Sequence, residues 1–576
     1  MSRIHFEKRR DFLKGAACMV AAGSTSTFVP KLSLMGTALA QATLPGYKAL
    51  VCVYLDGGND SWNLLIPADN SETINVPGRT PLPNFLPTRY GWYATSRGGV
   101  FQGSPAALAL LRPGATDPGA PFLPPALALN GGQYGLNPAC NDLQTLFNSG
   151  NVAFVANVGT LVEPVRRSTF NSFRRPPQLY SHNDQTSLWQ IGGGSSSSAN
   201  TGWGGRLAGR LLQTPAVGPA SLPPCISIAG QTRFLVGEYS ATGQPVTPYS
   251  LSTQSPAART LANYIGNGDP TAAADKRFEV LTSLLAATYP PSDPQQAMAK
   301  EYGDIVGRSI NAADTVNRSV NSITTIAALA NFVIQLGLIP NSGLGNQLRQ
   351  VARMIAVSHP AFASIAPGGT TPINANRQIF FVRTGGYDTH DGQIPTSRAA
   401  ANGIWAGHQG LLQQVSQAVN RFIIAINALN QVSGYSGVSN SVVGFTMSDF
   451  SRTINSNGNG TDHAWGSVQL AFSPGTGVGA PLAGGQVYGR YPLQLLNRQY
   501  SGPADALGEC FGRGEFLPTT AVDQYAATFA RWMDLPNADL AAVFPNIDNY
   551  GAPRFGADGV MAYSGRVIPN MLTGIT

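Results

Sequence analysis

Four short segments of this chain are apolar almost without interruption: Ala49–Leu55, Val152–Val158, Gln378–Thr384 and Ser441–Met447. Their length and their β-branched and aromatic content predict strands, and the lack of polar alternation predicts a sheet covered on both faces. Helical patterns fall between them. One runs from Pro138, behind an Asn137 cap, through Leu143, Leu146 and Phe147 to a stop at Gly150, and the strand at Val152 follows at once. A second is expected from about Ile404 to Asn430, where Leu411, Leu412, Val415, Val419, Phe422, Ile423 and Ile426 recur at helical spacing. A third, Ala521–Met533, sets Tyr525, Phe529 and Trp532 on one face. Such alternation predicts an α/β fold, a mostly parallel, doubly wound sheet flanked by helices, in a single domain over residues 43–576.

Charged residues make up only 12% of the 576, about half the usual share of roughly 25%, which argues against a nucleic-acid binder or a polybasic membrane binder. Gly (65) and Pro (42) are abundant while hydrophobic residues still reach 43%, the balance of a loop-rich chain with a core. Residues 68–135 and 192–270, rich in Gly, Pro, Ser and Thr, read as surface loops or small β excursions. Residues 273–358 read as a helical insert that caps the sheet, with helices near Ala274–Thr288, behind Asp293 past Met298 and Tyr302, and near Leu344–Val357.

Residues 1–42 read as an export signal. The twin-arginine pattern Lys8-Arg9-Arg10-Asp11-Phe12-Leu13-Lys14 precedes a weakly apolar stretch, Gly15–Val29, and the small-residue exits Ala38-Leu39-Ala40 and Ala40-Gln41-Ala42. The expected partner is the twin-arginine export machinery, and the expected location is the periplasm or the medium. Setting the signal aside removes six of the 37 basic and two of the 30 acidic residues and leaves a net charge of +3, no basis for nucleic-acid binding. No stretch approaches the roughly 18 consecutive apolar residues of a spanning helix, so no integral membrane segment is expected. Cys52, Cys140, Cys225 and Cys510 are spaced too widely for a CxxC motif, and no disulfide is expected.

Several chemistry-bearing motifs are missing: a GxSxG elbow, a GxxxxGK[ST] loop, an HExxH pair, and a GxGxxG opening a helix after a strand. What the chain carries instead is a set of Asp and His residues directly after the predicted strands. Asp56 follows the first, Asp388 and His390 the third, and Asp449 the fourth. In an open parallel sheet these carboxyl ends form one crevice, so residues from distant parts of the chain converge there. Asp462 and His463 sit in a Gly-rich loop soon after. Carboxylates and imidazoles together are ligands for divalent ions, so Asp56, Asp388, His390, Asp449 and His463 are the expected metal ligands, the ion being Zn, Mn, Mg or Ca. Taken singly, an aspartate after a strand is as readily a turn or a helix cap. His408 reads as a satisfied helix residue and His359 as incidental.

Ser181 opens a short predicted helix through Trp189, whose free N–H groups and positive end suit an anion. Ser181 and His182 are therefore the candidate catalytic residues, although Ser181 with Asp184 three residues on is also a capping pattern. Arg166, Arg167, Arg174 and Arg175 precede them and either face an anion or are solvated.

The twin-arginine signal, Leu55-Asp56-Gly57-Gly58-Asn59-Asp60, Ser181-His182-Asn183-Asp184-Gln185, Gly202-Trp203-Gly204-Gly205-Arg206, Thr384-Gly385-Gly386-Tyr387-Asp388-Thr389-His390, Ser448-Asp449-Phe450-Ser451-Arg452-Thr453, Gly460-Thr461-Asp462-His463 and Phe544-Pro545-Asn546 together resemble the bacterial domain-of-unknown-function 1501 proteins. The likeness covers nearly the whole chain after the signal. That family is grouped with the alkaline phosphatase and sulfatase superfamily, so the resemblance implies an alkaline phosphatase-like α/β sandwich and a metal-assisted hydrolase site. It implies that Asp56, Asp388, His390, Asp449 and His463 are metal ligands and that Ser181 stands where the nucleophile is expected. The chain departs from the superfamily at Phe450, where His or Asn commonly accompanies the later aspartate, and in the shorter spacing from Asp388 to His390. A single-metal or degenerate site is the corresponding expectation. Two functions follow: an exported metal-dependent hydrolase acting on small phosphate or sulfate esters, or a non-catalytic exported binding or assembly protein with the same fold.

Overall fold

Among the described residues, all four apolar runs are strands of one nine-stranded sheet. In chain order the sheet comprises β1 (Lys48–Leu55), β2 (Val152–Gly159), β3 (Cys225–Ser227), β4 (Tyr249–Ser250), β5 (Arg377–Thr384), β6 (Val442–Ser448), β7 (Ser467–Phe472), β8 (Val487–Gly489) and β9 (Thr520–Ala521). The computed structural model describes residues 46–575 apart from 72, 74–79, 82–86, 194–198, 212–221, 239–245, 259–282, 284–308, 310–311, 369–372, 374, 395–402, 497–499, 502–508 and 551–560. The export signal and the helices expected near Ala274–Thr288 and behind Asp293 thus lie outside the described residues.

In space the strands run β8-β2-β7-β6-β1-β5-β3-β4, with β9 beside β2. β7 is antiparallel to both of its neighbours, and every other pairing in the sheet is parallel. The period of two along β1 sends Ala49, Val51, Val53 and Leu55 into one core and Leu50, Cys52 and Tyr54 into the other. Each buried Val or Leu contributes about 1.5–3 kcal/mol, enough to fix which face is which.

Eight helices matter to the layers: α1 (Arg89–Ser96), α2 (Asn141–Asn148), α3 (His182–Ile191), α4 (Trp203–Leu211), α5 (Ala330–Gly337), α6 (Gly343–Ser358), α7 (Gly407–Asn430) and α8 (Val522–Trp532). Side chains of α2, α5, α6 and α7 join the first core, and those of α3, α4 and α8 join the second. The described end of the helical insert is therefore part of the layer over one sheet face. On α8, Phe529 stacks on Phe445 at 4.5 Å and Tyr525 meets it edge-on at 6.0 Å, which is the shared face expected from its spacing.

Two local readings need correction. α2 begins at Asn141, not Pro138: Asn137 closes a tight turn just upstream, its side-chain oxygen accepting from Ala139 N at 3.0 Å and its carbonyl from Cys140 N at 2.9 Å. The stretch 192–270 is more than surface loops, since it holds α4 and β3, both buried. α4 escapes sequence reading because Gly204, Gly205 and Gly209 weaken its helical signal. Those glycines serve packing: a Cβ on Gly205 would stand 2.2 Å from the Val236 carbonyl carbon. In and beside 68–135, strand Tyr134–Leu136 pairs with Leu65–Pro67 on one side and Leu127–Leu129 on the other in a small antiparallel sheet, and α1 stands beside it.

All four described cysteines are buried and unpaired. Among the described residues no single helix is long and apolar enough to cross a membrane; the bent pair Ala312–Thr325 and Ala327–Gly337 passes on composition, but its Val316, Val320, Ile323, Leu329, Phe332 and Leu336 lie in the core.

His408, in the first turn of α7, is buried with Nε2 2.8 Å from Asn59 Oδ1, and burial pushes its pKa from 6.5 down to about 4. Its folded pKa lies below the unfolded one, so its contribution is complete above about pH 6.5 and is lost as the pH falls towards 4. Unfolding free energy is expected to fall across that window by up to about 3 kcal/mol on this account. In His408→Gln, urea titrations at pH 7 and pH 4.5 should differ less than in wild type; an equal difference removes the attribution.

Candidate metal centre

β1 lies between β5 and β6, and the registers Leu55↔Thr384 and Leu55↔Ser448 bring the three strand ends level. Asp56, the loop starting at Gly385 and Asp449 therefore leave the sheet side by side. Past β6 the chain doubles back as a hairpin: Thr453 N bonds Asp462 O at 2.9 Å, Ala464 N bonds Ser451 O at 2.9 Å, and Arg452 bridges His463. Because β7 is reversed, this hairpin returns to the same sheet edge and carries His463 there. His182 is the first residue of α3. The close fit of the loops depends on Gly57 (φ 113°) and Gly58 (φ 81°), where a Cβ would stand 2.5 Å from Asp388 N and 2.5 Å from Phe450 Cε2 respectively.

Four donor atoms meet at this edge. Nε2 of His182, His390 and His463 lie 3.5, 3.3 and 3.6 Å from Asp388 Oδ1, and the last two nitrogens are 2.8 Å apart. A tetrahedral zinc with bonds of about 2.0–2.1 Å keeps its donors about 3.3 Å apart, close to the separation of each imidazole nitrogen from Asp388 Oδ1, and the donor atoms of His182, Asp388 and His463 all lie within 4.8 Å of one another. Each ring is turned by an acceptor on its other nitrogen. His182 Nδ1 meets Asp449 Oδ2 at 2.7 Å, His390 Nδ1 meets Asp462 Oδ1 at 2.9 Å, and His463 Nδ1 meets the Tyr180 carbonyl at 2.7 Å. An ionised carboxylate or a carbonyl can only accept, so Nδ1 holds a proton on each ring and Nε2 faces the centre; the 2.8 Å contact between the His390 and His463 Nε2 atoms then requires a proton or a cation between them. His182 Nε2 is buried with no hydrogen-bond partner. Among the described residues, His182, Asp388 and His463 form the one group of ligand-type side chains within reach of a common ion, and His390 adjoins it.

The surroundings hold these groups rigidly. Arg452 is fully buried, with Nε on Gly58 O (3.0 Å), Nη1 on Thr461 O (2.9 Å), and Nη2 on both Gly57 O (2.7 Å) and Asp388 Oδ1. Asp449 accepts from Tyr54 Oη at 2.7 Å and from Gly57 N at 3.2 Å. Phe450 packs its ring 4.8 Å from that of His182 and 4.5 Å from that of His463. Partial burial works to raise the Asp388 pKa, but the hydrogen bond and charge of Arg452, with His182 and His390, outweigh it and hold the carboxyl below its ordinary value. For Asp462 the hydrogen bonds from Asn457, His390 and Arg513 overcome burial in the same way and bring it to about 2. The Asp449 hydrogen bond raises His182, whereas burial and the neighbouring cations lower His463.

Of the expected ligands, Asp388, His390 and His463 come together at the centre, joined by His182. Asp449 stands behind His182 as its hydrogen-bond partner. Asp56 turns away to Arg383, Nη2 to Oδ2 at 2.5 Å. His359 lies apart, between Tyr47 and Tyr435. Sequence reasoning gave no role to Arg452, Tyr54 or the Tyr180 carbonyl, and marked Phe450 only as a departure from the superfamily. Arg452 lies within the Ser448–Thr453 motif and was open to notice as a charged residue in an otherwise uncharged stretch after Asp449; the carbonyl left no trace.

Ser181 caps α3: its Oγ accepts from Asp184 N at 3.4 Å and donates to Asp184 Oδ2 at 2.8 Å. Ser181→Ala is expected to lower stability by about 1 kcal/mol, and Ser181→Asp to stay near wild type. Chemical denaturation checks both; an Ala variant of wild-type stability with no turnover would make Ser181 a nucleophile instead. Of the arginines before it, Arg174 pairs with Glu163 at 3.2 Å and Arg175 lies over the Phe170 ring at 5.2 Å. Beside the cluster a groove of about 540 Å³ is lined by Phe170, Arg175, Pro176, Pro177, Tyr180 and Phe511. Tyr180 belongs to both, with its carbonyl on His463 and its side chain on the groove. In comparisons with known proteins, no family model matches the chain and no curated protein matches it.

Proposed function

We propose that this chain is an exported metal-dependent hydrolase of phosphate or sulfate esters whose single divalent ion is held by His182, Asp388, His390 and His463. The observation that carries the reading is the convergence of three imidazole Nε2 atoms on one carboxylate oxygen, each ring held from behind by an acceptor. Three imidazoles and one carboxylate suit zinc or a neighbouring transition ion better than magnesium or calcium, which prefer all-oxygen sites. Bound there, such an ion would supply Lewis acidity toward an ester oxygen taken up as a fifth donor. Asp449, Asp462 and the Tyr180 carbonyl keep the imidazoles in the tautomer that binding requires. The N–H groups at the start of α3 favour an anion beside His182, and the groove past Tyr180 offers a wall for the organic part of the ester. The twin-arginine pattern supports export.

The test is metal analysis of protein purified without chelator, joined to hydrolysis of aryl phosphates and sulfates before and after chelation. About one equivalent of a transition ion, with turnover that chelation abolishes and zinc, cobalt or manganese restores, is the expected result. Metal without turnover on any ester would favour the binding-protein reading, and absence of both would end the proposal.

A further inference from the structure

We propose that Gln393 and Thr461 are positioning residues that fix the spacing between the two histidine-bearing loops and thereby the affinity of the centre for its ion, an inference that rests on the metal-binding reading above. His390 belongs to the loop after β5, and His463 to the hairpin after β6. The loops touch through Thr461 N on Thr389 O (3.2 Å) and Asn457 Nδ2 on His390 O (3.0 Å). Beneath them lies the Gln393 side chain, fully buried. Its Nε2 donates to Asp60 Oδ2, and its Oε1 accepts from Thr461 Oγ1 at 2.5 Å. Thr461 immediately precedes Asp462 and His463, and Gln393 follows His390 by three residues, so this amide ties the two loops next to the donors themselves.

The amide has only one workable orientation. Asp60 is fully buried and its Oδ1 is taken by Arg97 Nη2 at 2.5 Å, so the carboxylate is an acceptor that accepts only N–H from Gln393. The Gln393 oxygen must then face the Thr461 hydroxyl. Polarity passes one way along Arg97, Asp60, Gln393 and Thr461, and it fixes where Asp462 meets His390 (2.9 Å) and where His463 faces His390 (2.8 Å). Groups that orient ligands from behind typically set metal affinity by 10–100-fold. A buried glutamine that merely satisfies its own polarity would stabilise the fold without that effect.

The experiment uses the full exported protein with zinc in chelator competition, cobalt(II) absorption as a second probe, and imidazole ¹⁵N shifts of the metal-free protein. Gln393→Met and Thr461→Val keep volume and remove the clamp; both should bind zinc about 10–100-fold more weakly and show mixed tautomers at His390 and His463. Thr461→Ser keeps the hydroxyl and should restore affinity and shifts. Asn151→Ala is the control for lost stability: Asn151 is buried before β2, at the opposite sheet edge, and bonds Ser473 O and Pro474 O. Wild-type zinc affinity and shifts in Gln393→Met would overturn the proposal, as would equal weakening in Asn151→Ala. If wild type itself binds no zinc, the metal reading fails, and the clamp still stands or falls on the imidazole shifts.

Discussion

Asp388→Ala and His463→Ala should each bind zinc at least about 100-fold more weakly than wild type and lose any metal-dependent turnover, since each removes a direct donor, and Asp388 is the only anionic one. Asp388 is half exposed, so the metal-free variant should keep its fold; Arg452, its buried partner, retains three backbone carbonyls. Two controls sharpen the result. His359→Ala should bind metal like wild type, because His359 lies between two tyrosines away from the centre. Asp56→Ala should also bind like wild type, because its carboxylate pairs with Arg383, and here geometry and motif part company. Asp449→Ala should fall between, about 10–100-fold weaker, through the released His182 ring. Unchanged metal stoichiometry and affinity in Asp388→Ala and His463→Ala would end the four-donor assignment, and loss of metal in Asp56→Ala would restore the ligand set implied by the motifs.

Breaking the Arg97–Asp60 pair should produce the largest loss of stability. Both side chains are fully buried. Taking two charges out of water costs several kcal/mol each, and their contact offsets this only while both are present. Arg97→Ala leaves Asp60 charged in the interior with Gln393 as its remaining partner, and Asp60→Ala strands the guanidinium. Each should cost about 3–5 kcal/mol, read by urea unfolding, and the Arg97→Met/Asp60→Leu double variant should cost less than either. A loss below about 1 kcal/mol in Arg97→Ala would show that water reaches the pair.

The sheet was legible because strands buried on both faces carry unbroken apolar stretches, here Leu50–Leu55, Val152–Ala156, Ile379–Val382 and Val442–Phe445. The convergence of Asp388 and Asp449 was legible for the same reason: parallel strands end together. What the chain did not disclose is which strands are neighbours and which way each runs. The direction of β7 brings His463 to the centre, yet a short apolar run such as Val468–Phe472 reads the same in either direction. Arg383 captures Asp56 because β5 pairs with β1 in the register Tyr54↔Arg383, a relation between residues hundreds of positions apart. Sequence places His182 beside Ser181, its neighbour along the chain, and leaves its partners across the fold unstated. Its Nε2 and the Asp388 carboxylate meet through folding alone.

The hairpin between β6 and β7 has a further consequence for how the chain can be rewired. Its legs are joined by backbone bonds between Ser451 and Ala464 and between Thr453 and Asp462, and each leg continues into its own strand. Of the exposed tip at 457–459, Asn457 ties to His390 O and Asp462 Oδ1, whereas Gly458 and Asn459 make only bonds within the loop and supply covalent continuity. New chain ends introduced there would leave both residues anchored from the sheet side, as loop tips of this kind tolerate. A circular permutant or a two-fragment version divided at Gly458 would thus cut straight through the loop that carries His463 and still reassemble the same centre.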